Sequence, residues 1–182
     1  MAQVIDQLVR DHRNMALLLD IIEEEIDAYR RDHVPDFDLL RVIAEYTLNY
    51  PDRVHHPREN LVLERLVERD PAASEAVGNL VAEHARLAEL TLEFAKAMNA
   101  AANDVELSRE WFDALAAEYL SANRRHMQVE ETQFFPRALS VLTGDDWAEI
   151  DQLTARPNDP LFGDKVTKAY LFLHERILQS HG

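Results

Sequence analysis

Apolar residues recur along most of this chain at alternating intervals of three and four. That spacing marks one face of an α-helix that buries itself against others. The first stripe is Ile5, Leu8, His12, Met15, Leu19, Ile22, Ile26 and Tyr29. It predicts a helix from about Val4 to Asp32, stopped by Val34-Pro35-Asp36. A second helix is predicted over about Asp36 to Glu68, with Leu48, His55, Glu59, Val62 and Leu66 on its buried face. Pro51 and Pro57 lie inside it and should kink it, since proline lacks the N–H and crowds the preceding turn. After Asp70-Pro71, a third helix from about Ala72 to Ala101 carries Val77, Leu80, His84, Leu87, Thr91, Phe94 and Met98. Ser108 is the expected N-cap of a fourth helix, which runs to about Leu142 and bends near Pro136. Its inner face reads Leu115, Tyr119, Ala122, His126, Glu130 and Phe134. A short helix capped by Thr143 or Asp145 follows, then a loop at Arg156-Pro157-Asn158-Asp159-Pro160, then a helix over Asp164 to Gln179. No strand pattern or fixed repeat interrupts this. The expectation is an all-α fold: an up-down-up-down four-helix bundle over residues 1–142, with two additional C-terminal helices. Those helices, residues 143–182, form an extension packed on the bundle, and 182 residues suit one domain.

The stripes are broken in a regular way. One buried position in each of the four long helices is a histidine: His12, His55, His84 and His126. Glu59 and Glu130 follow two of them one turn later, on the same face. A lone histidine in an apolar stripe is usually a hydrogen-bonded core residue. Four of them, two with a glutamate, would leave many buried polar groups to satisfy, and unsatisfied ones are costly. Metal satisfies them together, and this many donors suit a pair of ions. Imidazole with carboxylate fits iron, manganese or zinc.

His56 lies about 100° round the helix from His55. It either faces solvent or, beside Pro57, turns toward a second ion. Glu131 competes with Glu130, and the i+4 spacing favours Glu130. Asp11 and Glu83 each precede a histidine and are expected to face solvent, because adjacent helical residues diverge. His33, His174 and His181 are read as structural or surface residues. With metal removed, the facing imidazoles are expected to resist protonation.

Composition narrows the reading. The chain has no cysteine, which excludes disulfides, thiolate zinc sites, iron–sulfur clusters and cysteine nucleophiles. A net charge of −15 disfavours nucleic acid and anionic membranes as partners. No signal-like start and no apolar run of about 20 residues is present, so a cytoplasmic protein is expected. His-Glu-x-x-His is absent, and no histidine has a glutamate three residues before it, as ferritin-like di-iron bundles require.

Over about residues 4–142 the chain resembles the hemerythrin-like (HHE cation-binding) domains. The resemblance rests on Asp11-His12, His55-His56-Pro57-x-Glu59, Glu83-His84 and His126-x-x-x-Glu130-Glu131. It implies a non-haem di-iron centre bridged by Glu59 and Glu130, with His12 and His55 on one iron and His84 and His126 on the other. His56 stands where members vary in ligand. Oxygen-carrying members have a further histidine four residues from the third-helix ligand; Leu80 and Ala88 occupy those positions here. The resemblance implies binding or sensing of dioxygen or nitric oxide. The alternatives are a di-iron enzyme acting on peroxide or repairing iron centres, iron storage, or a zinc site; enzymatic turnover is left open. Tyr119, one heptad before His126, either contacts the bound ligand or fills core. The apolar Leu161-Phe162 and Tyr170–Leu173 segments either cover the bundle or form a homodimer contact.

Overall fold

The computed structural model describes residues 3–73, 79–154 and 159–180, and every regular element among them is helical. α1 (Gln3–Arg30) ends where Asp32 takes a φ of 65°, which lets the His33 N–H reach back to the Ala28 carbonyl at 3.1 Å. Aspartate is one of the few residues besides glycine that tolerates this left-handed turn, and the back-bond satisfies a terminal carbonyl. α2 (Phe37–Asn49) starts at Asp36, whose side chain accepts the Leu39 N–H. A π-helical segment, Pro51–His55, leads into α3 (His56–Arg69). α4 (Leu80–Ala102) starts at Asn79, whose non-helical backbone and side chain accepting the Ala82 N–H cap it, rather than continuing through that point from the expected start at Ala72; α5 (Arg109–Val129) is capped by Ser108, as expected. A second π segment, Glu130–Phe134, leads into α6 (Phe135–Val141). Thr143, not Asp145, caps α7 (Gly144–Leu153), in a reciprocal box with Asp146. A 3₁₀ turn at Lys168–Tyr170 precedes α8 (Leu171–Ser180).

The two π segments share a cause. The ring nitrogens of Pro57 and Pro136 cannot bond four residues back. The residue before each proline bonds five back instead: His56 N–H to the Pro51 carbonyl, and Phe135 N–H to that of Glu130. The chain widens at both places, in keeping with the room that inward-turning His55 and His56 need at the first, and where the sequence suggested only a bend near Pro136 at the second. The last helix begins at Leu171, later than Asp164. The backbone donor that would close its first turn from Asp164 is used elsewhere: the Thr167 N–H bonds the Pro160 carbonyl at 2.8 Å. Val77, the stretch Arg156–Asn158 and His181 lie outside the described residues.

The core has two parts. One joins Leu18, Ile22 and Ile26 of α1 with Ile43 and Tyr46 of α2, Phe94 and Met98 of α4, and Phe112 and Tyr119 of α5. The other joins Val4, Ile5 and Leu8 with Val62, Leu66, Leu80, Phe134 and Phe135. Between them lies a polar layer of buried His12, His55, His56, Glu59, His84, His126 and Glu130. α1 enters this layer from the second cluster, and the α2–α3 segment enters it from the first. α4 again enters from the second, and the α5–α6 segment from the first. Leu161, Tyr170, Leu173 and Ile177 of the C-terminal extension belong to the first cluster, so the extension covers the helices around α2. Arg69 holds the buried Asp146 of α7 at 2.8 Å, tying α3 to that helix. No described helix is long and apolar enough to cross a membrane.

Candidate metal centre

The polar layer is built from carboxylates at its centre and imidazoles around them. Glu59 and Glu130 are fully buried. Their oxygens face opposite ways. Glu59 Oε1 lies 3.1 Å from His55 Nε2 and 3.5 Å from His12 Nε2, while its Oε2 lies 3.4 Å from His84 Nε2. Glu130 Oε2 lies 3.3 Å from His12 Nε2, while its Oε1 lies 3.3 Å from His84 Nε2 and 3.2 Å from His126 Nε2. Each carboxylate thus spans two groups of histidines. Donor atoms of His12, His55 and Glu59 lie within 4.8 Å of one another, as do those of His56, Glu59, His84 and His126.

His56 turns inward. Its ring stacks on His84 with centroids 4.5 Å apart, and it is 7 % exposed. The π segment that ends at His55 opens the backbone just before this pair, so neighbouring residues both reach the layer. Tyr119 sits in the first core cluster, stacked on Phe94 with its hydroxyl 3.4 Å from Thr47 Oγ1. It also borders a small cavity with Met15, Leu18 and Ile43.

The outer nitrogens of the imidazoles have partners that the helical periodicity did not reveal. His55 Nδ1 bonds Asp11 Oδ2 at 3.1 Å, His12 Nδ1 bonds Glu131 Oε1 at 3.0 Å, and His84 Nδ1 bonds Asn60 Oδ1 at 2.9 Å. His126 Nδ1 bonds Glu83 Oε2 at 3.3 Å, and His56 Nδ1 lies 3.4 Å from Asp52 Oδ1. Asp11 is therefore buried rather than solvent-facing. Glu83 and Glu131 stay partly exposed while still reaching an imidazole. In each of these three cases the acid sits beside one layer residue in sequence and serves a histidine of another helix. The 100° divergence of adjacent residues is what aims it there. An oxygen partner on Nδ1 demands that Nδ1 carry the proton, which leaves the Nε2 lone pair facing the carboxylates.

Of the inward atoms, His84 Nε2 and Glu130 Oε1 are hydrogen-bonded to each other at 3.3 Å, and most of the others lie close together without bonding. His12 Nε2, His55 Nε2, His126 Nε2, both Glu59 oxygens and Glu130 Oε2 are buried with no hydrogen-bond partner among the described residues. They converge on shared points and do not align on one another. Neutral imidazoles and ionised carboxylates converging in this way match the donor set of a divalent or trivalent metal.

Without metal the charges of the layer redistribute. Burial disfavours a charged His12, yet the attraction of the adjacent Glu130 and Glu59 carboxylates outweighs this and raises its pKa to about 10. Burial is likewise overcome at His55 by Glu59 and Asp11, and at His84 by Glu130 and Glu59, each raised to about 9. Burial opposes ionisation of Glu59 and Glu130, but the surrounding imidazoles lower both. The expected resistance to protonation is thus reversed at His12, His55 and His84, because the carboxylates lie among the imidazoles. It holds at His56, where burial lowers the pKa despite Asp52.

No curated protein and no solved structure matches the chain significantly. The sequence profile of the hemerythrin HHE cation binding domain matches residues 3–138. That span includes all seven residues of the layer and most of the chain, and the protein belongs to the hemerythrin HHE cation-binding family.

Proposed function

We propose that the protein is a non-haem di-iron protein that binds or senses a small diatomic ligand, dioxygen or nitric oxide. His12 and His55 would hold one ion, and His56, His84 and His126 the other, with Glu59 and Glu130 bridging. The observation that carries this reading is the split of the two carboxylates, whose paired oxygens face the two histidine groups separately. A bridged iron pair, when bound, supplies a redox-active site for a diatomic ligand.

The chain's own contribution is orientation and dryness. Asp11, Asn60, Glu83 and Glu131 fix the rings of His55, His84, His126 and His12 through Nδ1. Phe135, stacked on His12 at 5.4 Å, and the two core clusters keep water from the layer. Tyr119, beside Thr47 and the small cavity, is the residue proposed to face the bound ligand. The up-down-up-down bundle is part of the same reading, supported by the alternating sense in which the four segments cross the layer.

The test is spectroscopic. Reduced, iron-loaded protein is exposed to dioxygen or nitric oxide, and the gas is then removed. A spectral band that forms and reverses supports a binding protein. Repeated consumption of peroxide with no reversible band would instead assign a di-iron enzyme.

A further inference from the structure

Tyr46, Tyr50 and Tyr170 form a run of touching rings that metal holding does not use. Tyr46 and Tyr50 stack with centroids 5.8 Å apart and planes 20° apart, and Tyr170 meets Tyr46 edge-on at 5.6 Å. Tyr46 and Tyr50 are 1 % and 3 % exposed.

One end of the run adjoins the metal layer. Burial pushes the Tyr50 phenol up, and the Arg58 charge acting on it partly offsets that push. The Arg58 guanidinium lies 4.0 Å from Asp11 Oδ2, and the same oxygen holds His55 Nδ1. The Tyr50 carbonyl also accepts the His55 N–H at 3.4 Å. The other end meets a buried carboxylate. The Tyr46 hydroxyl donates to Asp159 Oδ2 at 2.9 Å, while Asp159 Oδ1 accepts the Leu161 and Phe162 N–H groups. Asp159 and Phe162 line a cleft of about 450 Å³ with Gln7, Arg10 and Arg13.

A buried tyrosine needs only one neutral acceptor for its hydroxyl. Tyr46 has a carboxylate, which is costlier to bury. Burial raises the pKa of Asp159 above the usual carboxylate range, making it a stronger proton acceptor. Burial, and then the charge of Asp159, push the Tyr46 phenol far up, so its proton does not leave by ordinary titration. Loss of an electron from the ring makes a phenol strongly acidic. A base at 2.9 Å lets the proton leave with the electron.

We propose that Tyr46 and Tyr50 are an oxidisable pair that delivers an electron to the metal centre while the Tyr46 proton passes to Asp159. The proposal rests on the di-iron reading above, with hydrogen peroxide as the oxidant of the iron pair. One electron leaves the Tyr46 ring, crosses the stacked Tyr50 ring and reduces the oxidised iron pair by one. The Tyr46 O–H bond breaks and an O–H bond forms on Asp159 Oδ2, leaving a neutral tyrosyl radical and a neutral carboxylic acid. A small one-electron reductant in the cleft, for which ascorbate is the probe, returns the electron, and the proton returns from Asp159. The pair thus draws oxidising equivalents away from the imidazoles.

The experiment is freeze-quench electron paramagnetic resonance after mixing full-length protein of measured iron content with hydrogen peroxide. Wild-type protein should show a tyrosyl radical that ascorbate removes, and Tyr46→Phe should lack it. Tyr50→Phe and Asp159→Asn should form it about tenfold more slowly or less. Iron content and melting temperature of the variants serve as controls against a purely structural role. Iron-loaded wild type without the radical, or Tyr46→Phe with an equal radical, overturns the proposal. If the chain takes up no iron, the di-iron reading fails by itself. The same proteins are then oxidised by a flash-generated ruthenium(III) complex in solution. A Tyr46 radical that needs Asp159 upholds the pair, and equal radical yields in wild type and Asp159→Asn overturn it.

Discussion

Among the described residues Glu59 and Glu130 are unlike every other acid, because each has both oxygens buried between two groups of imidazoles. In the di-iron reading, removing either would leave the positive charge of two ions without a bridge in a low-dielectric interior, where unpaired charge is costly. Glu59→Ala and Glu130→Ala are therefore expected to lose both metals, whereas His56→Ala should retain the metal held by His12 and His55. Elemental analysis of the purified variants checks this; full metal content in Glu130→Ala would contradict the bridging role. Glu131 acts from outside, through His12 Nδ1. Its replacement by alanine should weaken metal binding by about 10–100-fold without abolishing it, as loss of an outer partner does. A competition titration with a chelator reads that difference. The inner residues other than His56 were legible in the sequence because each takes a slot in a stripe of period 3.6; His56 lies off the stripe and reaches the layer only because the π segment displaces it. Asp11, Glu83 and Glu131 were not legible, because the histidine each one serves lies on another helix, and no local spacing records that.

At the scale of the element, both π segments end two residues before a proline, and each places layer residues at its boundary: His55 and His56 at one, Glu130 at the other. Proline to alanine in a helix interior ordinarily stabilises by up to about 3 kcal/mol. Here Pro57→Ala or Pro136→Ala would let an α-helical bond form and turn the neighbouring layer residues out of register. The expected result is a split: metal-free protein as stable as wild type or more so, with clearly reduced metal content. Thermal melts of stripped protein, set beside metal analysis, test it. Loss of stability with metal content intact would show that the prolines act on packing alone. The prolines themselves were visible, and the paired histidines beside Pro57 pointed to a widened backbone there, but near Pro136 a period-based reading assumes one α-helical pitch and so returned only a bend. The late start of α8 has a similar origin: Asp159 draws the following backbone N–H groups into a loop that competes with the helix.

For the whole molecule, the polar layer divides one core into two, so its protonation bears on global stability. His12, His55 and His84 have pKa values raised from 6.5 to about 10, 9 and 9 in the metal-free protein. Their contribution is complete below about pH 6.5 and is lost as pH climbs through 9 to 10. Glu59 and Glu130 are lowered, so their contribution is present above about pH 4.5 and is lost as pH falls below that. Stripped protein is therefore expected to be most stable between about pH 4.5 and 6.5. Metal competes with the imidazole protons, so it binds more tightly as pH rises. The gap in melting temperature between loaded and stripped protein should widen from about pH 6 to about pH 9, as calorimetry would show; a constant gap would contradict the linkage. The all-helical fold followed from the stripes, whereas the division of the core into two clusters by the polar layer emerged only in the structure. The place of the extension did not follow from the stripes either, since Leu161, Tyr170, Leu173 and Ile177 suit a partner chain as well as the cluster they join.

The central claim is a pair of irons joined through Glu59 and Glu130, and Mössbauer spectroscopy of wild-type protein loaded with ⁵⁷Fe and oxidised in air tests it most directly. The account predicts about two irons per chain with a magnetically coupled, diamagnetic ground state, as bridging carboxylates between two ions of five or six ligands require. One uncoupled iron per chain, or zinc alone in protein produced with ample iron, would contradict it.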